Sequence, residues 1–149
     1  MQHKKAFTFL EVIITLVILS LIGGFLAIGT GKVFDNFSDK SAKDRLLLLE
    51  SSQLQFFENR GRFTQNVNEL NDLEPSYTYT EQGVPTDGEA ISVAVLNDTL
   101  GLATRSRDGK CFLIKINPSN SALPDYSSVT PNAATCNAMA ALSLQGGTW

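Results

Sequence analysis

Histidine is nearly missing from this chain: the single one among 149 residues is His3, and with it goes most of the ordinary chemistry of catalysis. No G-x-S-x-G and no phosphate-binding glycine loop occurs, no Cys has a base partner, and no acidic cluster stands at metal-ligand spacing. The sequence therefore reads as a non-enzyme with no cofactor. Cysteine is scarce too; Cys111 and Cys136 are two soft ligands where a structural zinc site needs four donors. Charge is missing over one long stretch, since Glu11 is the single charged residue between Phe7 and Gly31. The net charge of −3 is acidic and unclustered, which argues against a general nucleic-acid binder.

What is there begins with a basic leader, MQHKKA, followed by AFTFLEVIITLVILSLIGGFLAIGTG counted from Ala6. From Val12 to Gly31 there are 20 residues, which at about 1.5 Å each make roughly 30 Å of helix, the hydrocarbon thickness of a bilayer. Lys4 and Lys5 hold the N-terminus on the cytoplasmic side and send the rest across. Glu11 falls near the cytoplasmic edge. A carboxylate inside a membrane helix costs about 2.5–3.5 kcal/mol, so this one needs a partner and a task. A secretory signal peptide fits poorly, because the run is long, contains Glu11, and offers no A-x-A-like site in Phe25 to Ile28. Ser20 with Gly24, Gly23 with Ala27, and Ala27 with Gly31 put small residues four apart, a spacing that lets helix backbones approach closely.

Ala6, Phe7, Thr8, Phe9, Leu10 and Glu11 together resemble the processing site of type IV prepilins and type II secretion pseudopilins. The resemblance implies cleavage between Ala6 and Phe7 by a prepilin peptidase and N-methylation of Phe7. It also implies that Glu11 neutralises the new terminal amine of a neighbouring subunit during assembly. Ala6 stands where Gly is usual, and the mid-helix Pro of many pilins is absent. Residues 1–6 are then a leader, 7–31 a transmembrane and filament-core helix, and 32–149 an amphipathic continuation with a β-sheet head. The mature chain has 143 residues, and loss of Lys4 and Lys5 takes its side-chain charge to −5.

Beyond Lys32 the apolar residues Val33, Phe34, Phe37, Ala42, Leu46, Leu49, Phe56 and Phe57 recur at three- and four-residue spacings, predicting a helix to about Arg60 that Gly61 terminates. Asp35, Asp39, Lys40, Lys43, Asp44, Arg45 and Glu50 form its solvated face. Phe56 to Leu70 resembles the helix exit and following loop of many pilins and pseudopilins. After Pro75 the period changes to two, and strands are predicted at Tyr77–Thr80, Ala90–Leu96, Leu100–Thr104 and Cys111–Ile116, with turns at Asn97–Asp98 and Asp108–Gly109. Sequential strands with tight turns imply an antiparallel sheet covered by the amphipathic helix. The tail from Asn117 to Trp149 is loop-like, with one helical turn near Asn137 to Leu142.

The fold class is thus α+β, a long N-terminal helix on a small antiparallel sheet, which the resemblance identifies as the pilin fold. Cys111 and Cys136 lie on the translocated side, where disulfides persist. A bridge between them closes a loop of about 26 residues and contributes roughly 3.5 kcal/mol by chain entropy. The resemblance supports the bridge, since pilin heads commonly close a C-terminal loop this way. Without it, Phe112, Leu123, Tyr126 and Trp149 are the residues that would hold the tail by packing.

The expected function is a structural subunit of a type IV pilus or pseudopilus, self-associating into a helical filament for adhesion, motility, DNA uptake or protein export. Its expected partners are copies of itself, the prepilin peptidase, the assembly machinery and the membrane. It starts as a single-pass protein of the cytoplasmic membrane and ends in a surface filament or pseudopilus. A minor tip or priming pseudopilin and a membrane-anchored surface binding module are the alternatives.

Overall fold

The computed structural model describes the chain except for residues 1–8, 28–29, 86–87, 120–123, 130–134, 146 and 148. The chain divides into two units, Met1–Phe34 and Asp35–Trp149. The first contains helix α1, Phe9–Ala27, and the start of α2, Thr30–Arg60, most of which lies in the second unit. Ile28 and Gly29, where one continuous helix is expected, lie outside the described residues.

In the second unit α2 presents Ala42, Leu46, Leu49 and Gln53, all fully buried, at steps of four, three and four. This is the apolar stripe of a helix lying on a core. Phe37 is five residues before Ala42, about 140° off that stripe, and it is 72 % exposed instead of packing inward. Glu50 departs the other way: expected on the solvated face, it is 7 % exposed, one residue from Leu49. The helix stops where the sequence places its end. Gly61 takes a φ of 70° and its amide donates to the Phe57 carbonyl at 2.7 Å, a left-handed cap that glycine adopts at no steric cost.

After the cap comes α3, Val67–Leu73, in the stretch expected to be loop. Asn66 is its N-cap, with Oδ1 accepting from the Asn68 amide at 2.9 Å. The loop ahead of it is held by Gln53, whose Nε2 donates to the Thr64 carbonyl at 2.7 Å and whose Oε1 accepts from the Thr64 amide at 3.1 Å. A fully buried amide is thereby satisfied on both sides, which removes the cost of burying it.

Five strands follow: β1 Thr78–Glu81, β2 Ala90–Leu96, β3 Thr99–Arg105, β4 Cys111–Ile116 and β5 Asp125–Val129, side by side in chain order. The sheet is mixed, which corrects the antiparallel expectation: β1 pairs with β2 in parallel, Tyr79 opposite Ile91. The segment from Gln82 to Glu89 is long enough to carry the chain back past a four-residue strand, so β2 starts at the same end as β1. The β2–β3 hairpin turns at Asn97 and Asp98, with φ of 48° and 59°, as a type I′ turn requires. β5 was hidden in the sequence by its serines and by the adjacent Pro124.

Both faces of this sheet are covered, and the strand sequences explain how. Ile91, Val93, Leu100, Leu102, Phe112 and Ile114 point to the face that carries α2. The opposite positions hold small residues, among them Ser92, Ala94, Gly101 and Ala103. On that flat face sits α4, Ala138–Leu142, with Asn137 as its N-cap. Gly101 is where it comes closest: a Cβ there would lie 2.3 Å from the Ala138 carbonyl oxygen. Ser92 Oγ accepts from the Ala138 amide at 3.0 Å, so the helix start is tied to the sheet.

Cys111 and Cys136 are bridged, at a Cα–Cα distance of 5.6 Å, and lie with Ala103, Leu113 and Ala141 in a second small core on the α4 face. The disulfide thus fastens α4 to β4. Cys111→Ser is expected to lower head stability by about 2–4 kcal/mol and to release α4 while leaving α2 folded. Thermal unfolding of the detergent-solubilised chain, with and without reductant, checks this; equal melting temperatures would mean that packing alone holds the tail.

Candidate assembly helix

In α1 the side chains are described from Leu10 to Ser20, and the apolar ones, Leu10, Val12, Ile13, Ile14, Leu16, Val17, Ile18 and Leu19, are all substantially exposed. They lie on every side of the helix, so no single neighbour within the chain could cover them. Each such side chain gains about 1.5–3 kcal/mol on leaving water. Among the described residues no helix is both long and apolar enough to cross a membrane.

Three residues from Leu10 to Ser20 carry polar side chains, and two of them are satisfied by their own helix. Thr15 Oγ1 donates to the carbonyls of Glu11 and Val12 at 2.8 and 2.9 Å, and Ser20 Oγ donates to the Val17 carbonyl at 2.8 Å. Such back-bonding hides hydroxyls from an apolar surrounding. Glu11 is the third. It lies in the first turn, where the helix dipole favours a negative charge, and its side chain projects from the exposed surface. Ala6 and Phe7, the expected processing residues, lie outside the described residues.

On α2 a second set of apolar residues faces away from the core. Phe37, Leu47, Leu48 and Leu54 are exposed. The run of four leucines from Leu46 to Leu49 divides its duties: Leu46 and Leu49 are buried under the sheet, Leu47 and Leu48 are not. Periodicity read for a single stripe missed this outward pair; a run of apolar residues longer than one face can absorb was the available signal.

Polar contacts fix α2 on the head. Lys110 Nζ bonds Asp39, and the Arg107 amide donates to Ser38 Oγ at 2.8 Å, so the β3–β4 turn grips α2 in its third turn. At mid-helix Tyr126 Oη donates to both Glu50 carboxylate oxygens at 3.3 Å. Burial pushes the Glu50 carboxyl above its usual range, and the Tyr126 bond only partly offsets it; burial and then the Glu50 charge raise Tyr126. On the exposed side Arg62 pulls Glu69 below the usual carboxylate range, helped by the Thr64 hydroxyl.

The Glu50 shift has a definite sign. A carboxyl raised in the folded state contributes stability that is fully present below its unfolded pKa and lost as pH rises through its folded pKa. Glu50→Gln keeps an oxygen for Tyr126 and removes the charge. The variant should melt with the wild type at acid pH, below the usual carboxylate range, and above it at pH 7. A variant that melts below the wild type at pH 7 would show that the charge itself stabilises the helix on the sheet.

No curated protein and no solved structure matches the chain. Its residues 1–27 match the family model described as the prokaryotic N-terminal methylation motif, the signature of type IV pilins and pseudopilins.

Proposed function

We propose that this chain is a structural subunit of a type IV pilus or pseudopilus, held first in the cytoplasmic membrane by residues 7–31 and later stacked into a helical filament. The observation that carries the reading is Glu11: a lone carboxylate on an otherwise apolar rod, in a stretch whose hydroxyls are already satisfied by their own helix. The methylation motif over residues 1–27 supplies the chemistry for a partner, because cleavage before Phe7 creates a terminal amine four residues from that acid. A free amine at Phe7 of one copy and the Glu11 carboxylate of a staggered neighbour pair across the contact between the two copies. The pairing removes both charges from an apolar layer at once and sets the axial register of one copy against the next.

Removal from the membrane leaves the apolar surface of α1 to be covered by other copies. One head-to-tail contact repeated without closure gives a helical filament. The outward Leu47, Leu48 and Leu54 of α2 offer a second apolar surface for contacts between copies. The head then provides the filament exterior, and no reaction is required of it. Adhesion, motility, DNA uptake and protein export all use filaments of this kind.

Glu11→Ala leaves the neighbour's amine buried and unpaired, a loss of about 3–5 kcal/mol per contact. The variant should be cleaved and inserted normally while its incorporation into sheared filaments falls by at least about tenfold. Immunoblots of sheared and membrane fractions read both quantities. Wild-type filament abundance with Ala at position 11 would remove the acid from the assembly mechanism.

A further inference from the structure

The chain beyond α4 does more than fill space. Lys115 Nζ, on the α4 face of the sheet, bonds the Leu144 carbonyl. The chain then meets the outer edge of β5: the Tyr126 amide donates to the Gly147 carbonyl at a long 3.4 Å. It ends on the opposite face. There the Trp149 ring lies 4.8 Å from that of Tyr126 and edge-on to Phe112 at 6.0 Å, with Lys43 Nζ of α2 5.3 Å from its centre. Trp149 Nε1 donates to the Ser127 carbonyl at 3.0 Å. The described residues of the tail therefore lie on both faces of the sheet, Leu144 on one and Trp149 on the other, with Gly147 at the edge of β5.

An edge strand presents unpaired amides and carbonyls that another strand can join. We propose that Gly147 and Trp149 form an edge guard, which occupies the open side of β5 at Tyr126 and prevents a second head from pairing with it strand to strand. Gly147 is what allows the guard to sit close, since a Cβ at that position would stand 2.3 Å from the Tyr126 carbonyl oxygen. Trp149 anchors it by inserting between helix and sheet. β1, the strand at the other edge, is only four residues long, and Tyr79 on it ties back to the Glu74 carbonyl at 2.7 Å. β5, at five residues, is barely longer, but it is the edge on which the structure places the tail.

The guard is independent of how α1 assembles. It is tested with the full chain in one detergent, comparing wild type with Gly147→Ala and Trp149→Ala by hydrogen exchange and sedimentation velocity. In both variants the Tyr126 amide should exchange at least tenfold faster while β2 and β3 amides keep their wild-type rates, and larger species should accumulate with concentration beyond those of the wild type. Trp149→Phe keeps the ring without its N–H donor and should fall between. Unchanged exchange in β5, acceleration spread evenly over the sheet, or faster exchange with no added self-association would each overturn the proposal. Because α1 is the same in all the proteins compared, failure here would leave the filament reading as it stands.

Discussion

A rod of leucine, isoleucine and valine that carries one carboxylate is stable neither in water, where its apolar side chains are exposed, nor alone in lipid, where the charge is unpaired. The assembly proposed for this chain follows from that constraint. Thr15 and Ser20 turn their hydroxyls back onto the helix, so Glu11 is the group from Leu10 to Ser20 that demands an external partner. In the proposed filament a copy of the same chain, offset along the axis and carrying a free amine at Phe7, satisfies the demand. In that arrangement the charge that makes the helix unfavourable by itself is also what fixes how copies stack.

The head, within the unit Asp35–Trp149, is closed on both faces of its sheet. On one side α2 contributes Ala42, Leu46 and Leu49 to a core with Ile91, Leu102 and Phe112. On the other, α4 lies on a bed of small residues and is fastened by the Cys111–Cys136 bridge. Gln53 and the Tyr126–Glu50 contact hold α2 to the loop and to β5, so the helix meets the sheet through bonds as well as apolar packing.

The elements legible in the sequence were those with strong local chemistry. β2 and β4 fall where alternation puts them, Gly61 ends α2, and the Asn97–Asp98 turn has the left-handed backbone its residues favour. The parallel pairing of β1 was not legible, because the connection from Gln82 to Glu89 contains no signal for which end it returns to. Nor was the inward side of Glu50: its acid suggested solvent, while the partner that makes burial tolerable, Tyr126, is 76 positions away. β5 and α3 were short segments whose stability comes from tertiary contacts more than from their own propensities. For the assembly helix the reverse holds. Glu11 stood out in the sequence because its surroundings contain no other charge, and the geometry adds that the Thr15 and Ser20 hydroxyls do not answer it.

The central claim is that the apolar helix begins at a newly made terminus. The intact mass and N-terminal sequence of the protein isolated from its native membrane test it most directly. The account predicts a chain that starts at Phe7 and is heavier than the unmodified sequence by one methyl group, located on the Phe7 amine. A chain that retains Lys4 and Lys5, or one that starts after Ala27, would contradict it, since neither presents an amine at the position that Glu11 requires.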